Sequence, residues 1–341
     1  MAAGRPRPTP VIGLDVGGAN TKAAAVDADD RVRTVSEPFE VWRDPNAMAG
    51  VIADVVGRLG SDGGTVALTT TAELADVFPS KREGALFVLD AAARALPGRR
   101  LRVLTTAGEL IGLGEAQAAP LRCAAANWMA TAMLVARSVP DAILVDCGGT
   151  TTDVIPISTG AVAARGRTDL ERLLEGELVY TGALRTNIAA IVSHVPVGGR
   201  PCPVSSELFA IAADAHLLLG RLSRQQCTCS FPDGRGASTG EVRARLARVV
   251  CADPDQLTAG DLEALASAVE DAQVATIAAA LERVAPRVAS GAPVVTLGVG
   301  AFLARTAAER CRLPVHADAG PLSGPAGLVA AAVALSVLAR E

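Results

Sequence analysis

The residues best suited to chemistry come in two copies of one pattern, D-x-G-G-x-x-T. The first is Asp15-Val16-Gly17-Gly18-Ala19-Asn20-Thr21, followed by Lys22; the second is Asp146-Cys147-Gly148-Gly149-Thr150-Thr151-Thr152, followed by Asp153. Paired glycines let a backbone turn sharply and come close to an anion, while hydroxyls and amides beside them donate hydrogen bonds. An aspartate at a strand end can orient a hydrated Mg²⁺, and Lys22 adds a mobile positive charge. One copy alone reads as an ordinary hairpin turn. Two copies in the same register read as a phosphate cradle built twice, with two similar domains facing each other across a cleft.

Each copy follows an apolar run, Val11 to Leu14 and Ala142 to Val145, so each reads as strand, tight glycine turn, strand. The first half predicts strands at 11–16, 21–27 and 31–38, a helix at 47–59, a strand at 65–70, a helix at 82–96 and a strand at 101–105. The second half repeats the order, with strands at 142–147, 151–157 and 160–164, a long insertion, a helix at 260–289, a strand at 293–297 and helices from 299 and 323. A β-β-β-α-β-α-β order repeated twice predicts an α/β protein of two ribonuclease-H-like domains, as in the sugar kinase, actin and heat-shock chaperone superfamily. The expected organisation is an arm at 1–10, a first domain at 11–120, a second at 121–321 with an insertion at about 165–260, and a C-terminal helix at 322–341 packing back. A third glycine turn, Gly298-Val299-Gly300, closes the strand at 293–297 and opens a helix. It either offers N–H groups to a phosphate or is a close strand-to-helix packing turn.

Composition narrows the function classes. Of 341 residues half are apolar, enough for two sizeable cores in a soluble globular chain, while only 3% are aromatic and the net charge is −4. That balance argues against a nucleic-acid partner, because neither a basic face nor a stacking platform is evident. Seven cysteines without framework spacing suit a reducing compartment, so no disulfides and a cytoplasmic location are expected. Cys227-Thr228-Cys229 lacks a second ligand pair and reads as a surface loop rather than half a metal site. The stretch Leu322 to Leu338 is interrupted by Gly324, Pro325 and Gly327, which predicts a buried helix and no membrane span. Arg5, Pro6, Arg7 and Pro8 form a basic arm without an apolar core, read as disordered rather than as a signal peptide.

The segments between the loops are more distinctive. Thr69 to Gly84 begins at a strand end, where ligand sites of α/β folds usually lie, and presents hydroxyls, two acids (Glu73, Asp76) and two bases (Lys81, Arg82). Asn127 and Trp128 precede the second loop, and the insertion gathers Arg167, Asp169, Tyr180 and Arg185. With the two glycine loops, these segments resemble the hydantoinase and oxoprolinase-like proteins encoded with tetrahydromethanopterin-linked one-carbon genes, and within them the branch that builds the methanofuran-type cofactor. The resemblance runs from about Val11 to Leu338, and Thr71 to Gly84 and Gly166 to Thr186 carry most of its specificity. Cys227 to Gly234 departs from it: a D-x-x-D-G-R loop is expected, and only Asp233-Gly234-Arg235 remains.

The resemblance implies alkyl transfer. An aminomethylfuran-methyl diphosphate would lose diphosphate while the phenol oxygen of a tyramine derivative attacks the furfuryl carbon. It implies that Gly17, Gly18, Asn20, Thr21, Gly148, Gly149, Thr150 and Thr151, with Gly298 and Gly300, hold the diphosphate, and that Lys22 stabilises its growing charge. Asp15, Asp146 or Asp153 would orient Mg²⁺, and Glu73 or Asp76 would accept the phenol proton. Lys81, Arg82, Asn127, Trp128, Arg167, Asp169, Tyr180 and Arg185 are the expected substrate contacts. Three rivals stay open: an ATP-dependent kinase or hydantoinase-type amidohydrolase, for which ATP is the cofactor; a non-catalytic actin-like nucleotide-binding protein; and a transferase acting on another prenyl-like diphosphate. The phenolic acceptor and the oligomeric state, a homodimer included, are left open by the residues.

Overall fold

The computed structural model describes residues 11–27, 29–60, 64–316 and 319–340; the expected disordered arm at 1–10 lies outside the described residues. The chain divides into two compact units, one of Met1–Val139, Arg167–Asp169 and Ala319–Glu341, the other of Pro140–Gly166 and Leu170–Asp318.

In the first unit the strands are β1 (Ile12–Gly17), β2 (Asn20–Val26), β3 (Val32–Pro38), β4 (Thr65–Thr71), β5 (Arg100–Leu104) and β6 (Leu110–Gly112), arranged β3-β2-β1-β4-β5-β6. β1, β2 and β3 are antiparallel neighbours, while β4 and β5 run parallel to β1 because a helix crosses over before each. Alternation settles the faces. Ile12, Leu14 and Val16 point into one core with Val66, Leu68, Val88 and Leu89, against the helices Met48–Gly57 and Lys81–Ala95. Gly13, on the opposite face, lies so close to the C-terminal helix Ala330–Leu338 that a Cβ there would stand 1.8 Å from the Ala332 carbonyl oxygen. Ser336 of that helix donates to the Val11 carbonyl at 2.7 Å and accepts from the Val26 N–H at 3.0 Å.

The second unit repeats the order with β7 (Ala142–Cys147), β8 (Thr152–Ser158), β9 (Ala161–Val162), β10 (Leu178–Val179), β13 (Val294–Leu297) and β14 (Val315–His316). Its sheet runs β10-β8-β7-β13-β14, with β9 also on β8, so β9 and β10 share the place that β3 holds in the first unit. Both units are therefore ribonuclease-H-like. The insertion builds a core of its own from Ile188, Val195, Ala215, Val242 and Leu246 against Leu262, Leu265 and Val269 of the long helix Ala259–Val284, beside a hairpin of β11 (His194–Val197) and β12 (Arg200–Pro203).

Two expectations move. The first unit extends past residue 120, because the helix Asn127–Ser138 packs on the C-terminal helix and on β4 rather than opening the second unit. The apolar C-terminal stretch is helical from Ala330, its first part Gly324–Val329 being a 3₁₀ turn that starts at a glycine with φ of +64° and a proline. The long helix passes for a membrane span by length and hydropathy, yet half of that window is buried inside the fold, as befits a core helix.

Candidate functional site

In the first unit the D-x-G-G-x-x-T hairpin sets Asp15 of β1 directly across from Lys22 of β2 and beside Thr69 of β4. All three side chains share one face near the carboxyl ends of β1 and β4, the usual ligand end of an open α/β sheet. Gly17 is sterically required: a Cβ there would stand 2.8 Å from the Asn20 carbonyl oxygen across the turn. Asp15 Oδ1, Asn20 Oδ1, Thr21 Oγ1, Thr69 Oγ1 and Glu73 Oε1 are buried and have no hydrogen-bond partner among the described residues. Buried polar atoms are almost always paired, so the orphans of Asp15, Asn20 and Thr69, on one face of the sheet, fit a ligand that pairs them, whereas Thr21, across from Val16, lies on the opposite face. Burial drives the Asp15 carboxyl above its ordinary range, and only the Lys22 ammonium pulls it back.

Glu73 is 1% exposed and sits just past the end of β4, where its Oε2 accepts from the Thr70 hydroxyl at 3.2 Å. Burial pushes its carboxyl up to about 7, against smaller opposing pulls from its own backbone N–H and from Lys81. Gly84 permits this placement, since a Cβ on that helix position would stand 2.5 Å from the Glu73 carbonyl oxygen. Ser80 caps the same helix by accepting from the Glu83 N–H at 3.2 Å. The first helical residue, Lys81, forms a half-buried ion pair with Asp169 at 2.6 Å. Asp76 and Arg82 instead lie at the surface, which leaves Glu73 as the enclosed carboxylate of the segment. The bridge between Thr70 and Ala124 brings the chain leading into Asn127 and Trp128 alongside β4. Trp128 is a core side chain at 2% exposure rather than a presented stacking surface. Arg167 is exposed, its guanidinium reaching the Thr106 carbonyl at 3.4 Å.

In the second unit the corresponding hairpin sets Asp146 across from Asp153, an acid where the first copy has Lys22. Asp153 is already neutralised by buried Arg172 at 2.6 Å, so it is an ion-pair partner before it is a metal ligand. Two expected phosphate donors are likewise committed: the Gly148 N–H to the Thr151 carbonyl at 2.9 Å and the Gly300 N–H to the Cys147 carbonyl at 2.8 Å. The N–H groups of Gly149 and Thr150 make no hydrogen bond among the described residues. Gly298 (φ +84°) and Gly300 abut Cys147, with hypothetical Cβ atoms 2.3 Å from its carbonyl oxygen and its Sγ, so the third glycine turn meets the needs of a packing turn. Arg185 is half-buried with its N–H on the Gly149 carbonyl at 2.8 Å, and Tyr180 is 59% exposed.

Among the described residues no three His, Cys, Asp or Glu side chains converge into a metal cage. Mg²⁺ does not need one: it takes one or two carboxylates and completes its shell with water and phosphate oxygens, which Asp15, with one oxygen unpaired, or Asp146 would suit. Sequence reasoning missed the anchoring of the irregular loop. Asp233 reaches buried Arg245 at 3.1 Å, Phe231 lies under the same guanidinium at 4.1 Å, and Asp214 holds its Nε at 2.8 Å. The Asp233-Gly234-Arg235 remnant thus keeps the acid that fastens the loop.

Residues 64–341 match the hydantoinase/oxoprolinase family model. A protein of Methanocaldococcus jannaschii described as (4-{4-[2-(gamma-L-glutamylamino)ethyl]phenoxymethyl}furan-2-yl)methanamine synthase is 36% identical over 254 residues, 74% of either chain. A protein of the same description from Methanococcus vannielii is 41% identical over 119 residues, 35% of this chain and 53% of its own. A nucleotide-free acetone carboxylase structure superposes with a TM-score of 0.63 at 10% identity, covering 97% of this chain and 70% of the other, which shows a shared fold. The two units share the ribonuclease-H-like strand order, and the two relatives are described as synthases, so this chain is an enzyme. On its own sequence and on these likenesses, the chain belongs to the hydantoinase/oxoprolinase family, alongside the furan-2-yl-methanamine synthases.

Proposed function

We propose that this enzyme forms an aryl ether in the biosynthesis of a methanofuran-type one-carbon cofactor, joining the phenol of a γ-glutamyltyramine-like acceptor to an aminomethylfuran-methyl diphosphate. The product named for the relatives carries a phenoxymethyl-furan linkage, and that ether is the bond a phenol makes when it displaces diphosphate from a furfuryl carbon. The observation that carries the reading is Glu73: an enclosed carboxylate near 7 with one oxygen unpaired, poised to take a proton near neutral pH. In the step, the C–O bond to diphosphate breaks with its electron pair leaving on the diphosphate. The phenol oxygen bonds to the furfuryl carbon, and the phenol proton passes to Glu73. Lys22, beside Asp15, meets charge growing on the leaving group, and the hydroxyl of Thr69 on the same face holds one of its oxygens. Mg²⁺, held by diphosphate and by Asp15 or Asp146, would screen that charge. We place the enzyme in the cytoplasm, consistent with seven free cysteines.

Purified protein given Mg²⁺, the furan diphosphate and γ-glutamyltyramine should release diphosphate only when the phenol is present and yield an ether of the summed mass. ATP consumption without ether would return the two glycine loops to a kinase or amidohydrolase role and overturn the proposal.

A further inference from the structure

Behind the second glycine loop lies a buried polar chain to which no role has been given. Gln273, in the middle of the long helix and 1% exposed, donates from Nε2 to the Thr181 hydroxyl at 2.7 Å and to the Gly182 carbonyl at 3.0 Å. A carbonyl can only accept, so Nε2 must face Gly182 and Oε1 must face His216, 2.8 Å away. Nε2 of His216, fully buried, is therefore the donor in that bond, and its ring is held edge-on against Phe302 with centroids 4.9 Å apart. Its other nitrogen faces Glu270 at 3.6 Å, and Arg221 pairs with that carboxylate at 2.9 Å. On the loop side, the Thr152 hydroxyl donates to the Thr181 carbonyl at 2.7 Å. Ala183 donates to the Gly148 carbonyl at 2.9 Å, and Leu184 and Arg185 donate to the Gly149 carbonyl at 3.0 and 2.8 Å. Gly182 lies directly against the loop, since a Cβ on it would stand 2.5 Å from the Thr150 nitrogen.

We infer that Gln273, oriented by His216, is a positioning residue. It fixes the segment Thr181 to Arg185, and that segment turns the carbonyls of Gly148 and Gly149 inward so that the N–H groups of Gly149 and Thr150 face the anion. A purely structural core would be served as well by a leucine or methionine, whereas a chain with donor and acceptor directions fixed at every link holds one loop conformation. The inference rests on the reading of that loop as a diphosphate site.

Two variants test it. Gln273→Met keeps the volume and removes both donors; Thr181→Val removes one hydroxyl and is the milder change. Ile277→Val, one turn further along the same helix and fully buried, serves as the control for general loosening. The expected result is that Gln273→Met weakens binding of Mg²⁺-diphosphate by tenfold or more in calorimetry and raises KM for the diphosphate substrate more than it lowers kcat. The amides of Ala183, Leu184 and Arg185 should exchange faster, while Ile277→Val at a comparable fall in Tm leaves affinity unchanged. If the native protein binds diphosphate and both variants bind it equally well with unaltered exchange, the positioning role is wrong. If the native protein binds no diphosphate, the phosphate reading of the loop falls and this inference with it.

Discussion

At the scale of single residues, Glu73 is where stability and chemistry oppose each other. Its carboxyl titrates near 7 in the folded chain and near 4.5 when exposed, so the folded state holds its proton more tightly. Its contribution to stability is complete below pH 4.5 and is lost as pH rises through about 7. Glu73→Gln removes that loss. The variant should be more stable than the native protein at pH 8, by up to about 3 kcal/mol, and no more stable at pH 4, as denaturant titrations at the two pH values would show. Its turnover should fall on the order of 10²- to 10⁴-fold, and the native rise of kcat/KM with pH through about 7 should vanish. Lys22→Ala tests the opposite charge. Diphosphate release should drop at least roughly a hundredfold, while stability should shift by less than about 1 kcal/mol; unchanged release would remove Lys22 from the mechanism.

At the scale of elements, glycines decide how closely the working strands approach their helices. Gly84→Ala would ordinarily favour a helix by about 1 kcal/mol. Here the new methyl meets the Glu73 backbone and the Phe78 ring, so the substitution should cost about 1–3 kcal/mol instead and move Glu73 from its place. Thermal unfolding together with the pH dependence of turnover would separate the two effects. The insertion behaves as an element in its own right: Arg245, fully buried, gathers Asp214 and Asp233 from different segments, and burial pushes Asp214 up to about 6 despite that pairing. Removing the guanidinium by Arg245→Met leaves two carboxylates uncompensated and should destabilise the second unit by about 3–5 kcal/mol, measured by urea unfolding.

At the scale of the whole molecule, the chain returns to its beginning. The C-terminal helix lies on β1 and β2, and Ser336 bonds to Val11 and Val26, so the final segment completes the first unit. Ser336→Ala leaves a buried N–H and a buried carbonyl short of a partner and should lower stability by about 1–3 kcal/mol in denaturant titration. The sequence by itself determined the two glycine hairpins and the repeated strand order, because turn chemistry and apolar alternation act over a few residues and are written locally, and the family entered through the resemblance carried by Thr71 to Gly84 and Gly166 to Thr186. It also marked Thr69 to Gly84 as the polar segment. The tertiary structure decided which of those polar groups are enclosed. Glu73 and Asp76 are three residues apart with similar side chains, and only the close approach permitted by Gly84 buries one of them. Asp153 reads as a ligand until Arg172, nineteen residues on, is seen paired to it. The amides of Gly148 and Gly300 read as donors until their carbonyl partners come into place. Burial and partnership depend on contacts between segments far apart in the chain, and those contacts set which acid is charged and which amide is open.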